Sequence, residues 1–167
     1  QFRILPMKIK VFTTGGTIDK IYFDKKSAFQ VGEPQIGQFL QEANICFDYE
    51  VESILRKDSL DLTDADRRMI VDQISSDPNR RILVTHGTDT MIETARMLVG
   101  IPEKTIVLTG SMQPARVRSS DAAFNIGYAI AAAQILPPGV YIAINGKIFE
   151  PDKARKNVEL NRFESTA

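Results

Sequence analysis

The chain has 167 residues, enough for one domain with a sizeable core. Its 21 basic and 21 acidic residues cancel, so no basic field draws nucleic acid, and no run approaches the roughly 18 apolar residues of a membrane-spanning helix. With Cys46 the one cysteine and His86 the one histidine, there is no disulfide framework and no zinc site.

Met7-Lys8-Ile9-Lys10 lacks the apolar core of a signal peptide, which points to a cytoplasmic protein. Gln1 to Pro6 precede a candidate initiator at Met7 and are expected to be upstream or added residues. The expectation is then a single α/β domain over 7–167. Lys8 to Phe12 is a short β-branched and aromatic run, a strand that breaks at Thr14-Gly15-Gly16-Thr17. Two glycines let the backbone turn sharply and approach a ligand. Asp19 to Ser27 reads as a charged loop or loose hairpin. Ile36, Phe39, Leu40 and Ala43 recur at helical spacing after Pro34. Phe47, Tyr49, Val51 and Ile54 suggest a strand, followed by the polar turn Lys57 to Asp61.

Thr63 caps a helix with acids in its first turn and Ile70, Val71 and Ile74 on its apolar face. Arg81 to Val84 is a third strand, ending in Thr85-His86-Gly87-Thr88-Asp89-Thr90. A helix over Thr90 to Val99 should pack Ile92, Ala95, Met97 and Leu98 on the sheet. Thr105 to Leu108 is a fourth strand, ending in Thr109-Gly110-Ser111-Met112-Gln113-Pro114. Ser119-Ser120-Asp121 is expected to cap an alanine-rich helix to Gln134, and Val140 to Ile144 is a further strand. Phe149 to Ala167 reads by composition as solvated loop and helix. Alternating strands and helices predict a mostly parallel sheet flanked by helices, a three-layer Rossmann-like architecture. Three strands then end in Thr/Gly-rich turns on one edge, where open α/β sheets bind ligands.

Thr14-Gly15-Gly16-Thr17-Ile18 and His86-Gly87-Thr88-Asp89-Thr90 resemble the two signatures of the bacterial-type L-asparaginases. Thr109 to Pro114 resembles that family's third landmark, and the resemblance runs from about Met7 to the end of the chain. It implies hydrolysis of L-asparagine to L-aspartate and ammonia, with no cofactor and no metal. It also implies Thr17 as the nucleophile that becomes acylated, with Thr88, Asp89 and Lys156 as a second catalytic group. Lys153 is the alternative lysine. By the same resemblance Asp89 receives the substrate's α-ammonium, Ser59 and its neighbour Asp58 bind the α-carboxylate, and the backbone at Ser111 meets the side-chain amide. Thr88 belongs to the substrate site as well, and His86 is read as structural.

The chemistry needs these residue types. A threonine hydroxyl is a weak nucleophile and needs a neighbouring base. A lysine serves if burial leaves it neutral, and backbone N–H groups at the Gly16 and Gly87 turns are the kind that stabilise an oxyanion. Three departures stand against the family pattern. Phe29 takes the place of the lid tyrosine, with Tyr22 nearby. Leu60 follows the substrate serine where a polar residue is usual. Family members also carry a smaller C-terminal domain that this sequence lacks. A non-catalytic amino-acid-binding relative is the alternative reading. A phosphate-binding domain is weaker, since G-x-G-x-x-G and G-K-[ST] are absent. An amidotransferase subunit would need an appended RNA-binding region. A homo-oligomer is expected, because an alanine-rich helix without a second domain leaves apolar surface uncovered.

Overall fold

The computed structural model describes residues 7–21 and 30–166. Phe29 and Tyr22, the lid positions considered above, lie outside the described residues. β1 (Lys8–Gly15) is buried after its first residue, as a central parallel strand should be. A 3-10 turn over Thr17–Asp19 leads into a two-residue hairpin of β2 (Lys20–Ile21) and β3 (Gln30–Val31). α1 (Ile36–Glu42) buries Ile36 and Leu40. β4 (Asp48–Lys57) follows, and then a 3-10 turn over Ser59–Asp61.

α2 (Asp64–Ser76) starts with a reciprocal cap. Thr63 Oγ1 accepts from Asp66 N, and the Asp66 carboxylate accepts from Thr63 N. β5 (Arg81–Thr85), α3 (Met91–Leu98), β6 (Thr105–Thr109), α4 (Ala122–Ile135) and β7 (Gly139–Ile144) alternate as expected. β8 (Lys147–Phe149) turns back antiparallel, and β9 (Ala154–Asn157) with β10 (Arg162–Ser165) forms a separate hairpin.

The main sheet runs β4-β1-β5-β6-β7-β8, with every pairing parallel except β7 with β8. Side chains alternate faces along a strand, and here both faces are apolar. Phe12, Ile82, Val84, Ile106 and Leu108 point to the α2/α3 side with Ile70, Ile74, Met91 and Leu98. Ile9, Val11, Leu83, Val107 and Ala143 point to the α1/α4 side with Ile36, Leu40, Ala129 and Ala133. Each fully buried aliphatic side chain contributes about 1.5–3 kcal/mol, which fixes the three layers.

Two expectations need correction. α3 buries Met91, Thr94, Ala95 and Leu98, whereas Met97 is exposed and Ile92 only half-buried. The polar Thr94 belongs to the buried stripe because its hydroxyl bonds His86, so apolar character alone misplaces the face. The tail is a β-hairpin rather than loop and helix. Phe163 and Ala154 anchor it in the core, with the Phe163 ring 6.3 Å from that of Phe149.

The β4 edge is charged. Lys10 is buried to 3 % exposure, and its ammonium meets Glu50 at 2.8 Å and Glu52 at 2.6 Å. Lys8 also pairs with Glu50, and bonds from the two lysines hold that carboxyl down at about 2.

Candidate active site

Four turns meet at the carboxyl edge of the sheet. Gly16 has φ 88, a region L side chains avoid, and a Cβ there would lie 2.4 Å from Gly87 N. A Cβ on Gly87 would lie 2.6 Å from both Cβ and Oγ of Ser59. The turns after β1 and β5 therefore touch backbone to backbone, and the Ser59 side chain from the turn after β4 packs directly on Gly87, approaches that glycine permits. Gly16 N donates to Lys57 O at 2.9 Å and fixes the turns after β1 and β4 together. The turn after β6 joins them through His86 N, which donates to Thr109 O at 2.9 Å.

Thr17 opens the 3-10 turn at this edge and is half-buried. Thr88 is buried, and Asp89 beside it is exposed. Lys156 reaches across from β9. Its Nζ donates to Thr88 Oγ1 at 2.8 Å and to Asp89 Oδ1 at 2.6 Å. Lys153 instead pairs with Glu150 on the surface. Of the two tail lysines, Lys156 is the one joined to Thr88 and Asp89.

Ser59 is buried, and its Oγ has no hydrogen-bond partner among the described residues. A buried hydroxyl without a partner costs about 1–3 kcal/mol. Asp58 Oδ1 accepts from Leu60 N at 3.1 Å, and Oδ2 pairs with Lys20 at 2.6 Å. Burial pushes the Asp58 carboxyl up, but Lys20, the Leu60 N–H and the charge of Lys156 together hold it below its usual value. Ser111 is buried, with its hydroxyl donating to Gln113 O inside its own loop. Its side chain is thus committed to the loop.

His86 is fully buried. Its Nδ1 lies 2.7 Å from Gly87 O, an atom that can only accept, so Nδ1 carries the proton. Nε2 then accepts from the Thr94 hydroxyl at 2.8 Å. Burial holds its pKa down to about 4. A neutral ring tied at both nitrogens braces the Gly87 turn from below.

Three residues escaped the sequence reading. Lys20 and Asp19 looked like loop charges, yet one pairs with Asp58 and the other is buried to 2 % exposure. Asp121 looked like a helix cap. It occupies the N-cap position without capping, and its carboxylate instead accepts from Met112 N and Gln113 N. No compositional signal separates these uses.

A cavity of about 540 Å³ lies at the opposite edge, lined by Arg80, Arg81, Thr105 and Leu136 among others. Its polar groups are already engaged: Arg81 with Ala133 O, Thr105 with Leu136 O, Arg80 with Glu103. The unengaged hydroxyl of Ser59 and the joined Lys156 and Thr88 are at the other edge, and we place the site there.

Comparison with known proteins identifies the family. The family model described as "Asparaginase, N-terminal" matches residues 8–166. An L-asparaginase of Thermococcus kodakarensis is 33 % identical over 172 aligned residues, covering 95 % of this chain and 51 % of the relative. A glutaminase-asparaginase of Acinetobacter glutaminasificans is 35 % identical over 115 residues, covering 66 % of this chain and 34 % of the relative. Among solved structures, the thermostable L-asparaginase of Thermococcus kodakarensis superposes with a TM-score of 0.78 at 30 % identity, over 95 % of this chain and 51 % of that one. The probable cytoplasmic L-asparaginase of Campylobacter jejuni gives 0.79 at 29 % identity, over 95 % and 52 %. The chain spans about half the length of these relatives, or less. The match over 8–166, together with the shared sheet, shows that this chain belongs to the asparaginase family and corresponds to its N-terminal region.

Proposed function

We propose that the chain carries the chemistry of an L-asparaginase-like amidohydrolase, splitting L-asparagine to L-aspartate and ammonia. The observation that carries this reading is Lys156 Nζ bridging Thr88 Oγ1 and Asp89 Oδ1 at the edge that holds Thr17. A lysine hydrogen-bonded to a threonine hydroxyl supplies a proton path, which amide hydrolysis requires and binding alone does not.

In this reading Thr17 Oγ1 adds to the side-chain carbonyl carbon. The C–N bond breaks, and the proton lost by Thr17 leaves on ammonia. Water then adds to the acyl ester, Thr17 recovers its proton, and aspartate departs. Thr88, Lys156 and Asp89 form the proton path for activating the hydroxyl or the water. Asp89, exposed at this edge, takes the α-ammonium. Ser59 and Asp58 serve the α-carboxylate end, with Ser59 offering its hydroxyl. The carboxyl of Asp58 acts by holding Lys20 beside it, since a second anion could not bind a carboxylate directly.

Replacing the lysine tests the reading. Lys156→Met should cut ammonia release by roughly 10²–10⁴-fold, the usual worth of general acid–base help. Lys153→Met should leave it near the parent rate, because its ammonium only meets exposed Glu150. The reverse order of effects would overturn the assignment.

We also propose a homo-oligomer. α4 presents Phe124 and Ile135 to solvent at 63 % and 79 % exposure, and the helix carries no charged residue to keep that face solvated. Sedimentation velocity at micromolar concentration should give a species of at least twice the chain mass. A clean monomer there would overturn it. A cytoplasmic setting is supported by the likeness to the Campylobacter protein of that description, and cell fractionation checks it.

A further inference from the structure

Asparagine is a poor choice inside a helix, since its side chain competes for backbone groups. α4 is otherwise mostly alanine and aliphatic residues, yet it holds Asn125 at 0 % exposure. A buried amide is costly unless its hydrogen bonds are made. Those bonds lead in two directions. Asn125 Nδ2 donates to Gly110 O at 3.0 Å and to Asp121 Oδ2 at 3.0 Å. Asp121 in turn accepts from Met112 N at 3.0 Å and from Gln113 N at 3.1 Å. This side of the amide grips the loop that contains Ser111.

On the other side, Asn125 Oδ1 accepts from Asn145 N at 3.2 Å. Asn145 holds a left-handed conformation, φ 54, and its own Oδ1 accepts from Phe163 N at 2.9 Å. Phe163 is the register partner of Lys156 in the β9–β10 hairpin. That hairpin shares no ladder with the main sheet. Its lysine therefore depends on side-chain anchors for its position against Thr88.

We infer that Asn125 is a positioning residue that sets the Ser111 loop and the Lys156 hairpin in register with each other. One rigid amide, on a helix fixed against the sheet, touches the loop directly and the hairpin through Asn145. A satisfied buried network of this kind specifies one arrangement, because any slip leaves polar groups unpaired in a low dielectric. The loop and the lysine approach the substrate from different elements, so their relative placement governs the reaction. The kinetic part of this inference rests on the amidohydrolase reading above, but the positional part does not.

Three variants separate the two arms, read by amide hydrogen exchange on the ¹⁵N-labelled chain. Asn145→Gly tolerates the positive φ and removes only the acceptor for Phe163 N. It should speed exchange at Phe163 about 3- to 10-fold, the worth of one hydrogen bond, and leave Met112 and Gln113 at parent rates. Asp121→Ala should do the converse. Asn125→Ala should speed all three amides. Ile126→Val, a buried apolar change in the same helix, should favour none of them. In turnover, Asn145→Gly should lower kcat about 10- to 100-fold with KM held, as expected for a misplaced lysine.

Uniform acceleration at core amides such as Leu83 and Val107, with no selectivity for the three, would overturn the inference. If Asn125→Ala fails to fold, an unmoved Phe163 amide in Asn145→Gly overturns it as well. A parent chain that hydrolyses no amide would overturn the amidohydrolase reading instead, and the exchange pattern would still decide this one.

Discussion

Thr17→Ala will reduce ammonia release from asparagine by roughly 10⁴–10⁶-fold, the range seen when a member of a nucleophilic catalytic group is removed. The substitution takes away one hydroxyl and one methyl from a half-buried position. Gly16, which makes the close approach to Gly87, is untouched, so the turn and the fold should persist. Thr88→Ala should cost nearly as much, because Lys156 would keep Asp89 but lose the hydroxyl through which it acts. The double variant should be little worse than either single one, since groups acting as a unit lose activity non-additively. A coupled assay for ammonia measures all three. Release near the parent rate in Thr17→Ala would dispose of the nucleophile assignment.

Asp19→Asn will stabilise the protein at pH 7 by about 1–3 kcal/mol. Asp19 is buried, and burial pushes its carboxyl up to about 6 in spite of the bond from Gln35 N. A rise of this size corresponds to about 3 kcal/mol against folding once the group is ionised. The amide variant keeps an oxygen for Gln35 N at 2.9 Å and sheds the charge. Its new N–H₂ falls where Oδ2 now has no partner, which returns part of the gain.

The same substitution will change how stability responds to acid. Between 3.8 and about 6 the folded state holds a proton on Asp19 that the unfolded chain has lost. Stability from this group is therefore present at low pH and lost as pH rises through that window. His86 acts in the opposite sense. Its pKa falls from 6.5 to about 4 on folding, so its contribution is present above 6.5 and lost as pH falls toward 4. Glu50 and Asp66, both held at about 2, begin to lose their contributions as pH falls below their ordinary values of 4.5 and 3.8, at the acid end of this window. The parent should thus show a flat melting temperature between about pH 6 and 4.5, where Asp19 and His86 offset each other. Asp19→Asn should unmask His86, so that melting temperature drops on acidification from pH 6.5. An Asp19→Asn variant with the parent's flat profile would mean that one of these two groups has been misjudged.

Much of the architecture was legible because burial on both faces of a parallel sheet demands dense apolar runs, and β1, β5, β6 and β7 supply them. The turns at their carboxyl ends were legible because glycine and threonine cluster there for a backbone reason, now visible as the Gly16–Gly87–Ser59 contact. The tail hairpin was not legible. Its apolar hold on the core among the described residues rests on Ala154 and Phe163, and two apolar residues carry no period. Asp121 was misread because one side chain suits a cap or a loop clamp equally well. Asp19 was invisible as a buried group, since nothing in Ile18-Asp19-Lys20 distinguishes a sequestered carboxyl from a solvated one. In each case the missing information was tertiary: which neighbour offers the hydrogen bond.

The charged edge at β4 has a consequence for colloidal behaviour. A ten-residue edge strand is a template for pairing with another chain, and ordinary edge carboxylates stop protecting it once acid neutralises them. Glu50 remains ionised down to about pH 2 because Lys8 and Lys10 grip it. Intermolecular β-extension at this edge is therefore opposed by fixed charge across the acid range in which such growth usually begins. Moderate salt, by screening those charges, is the condition that would weaken the guard.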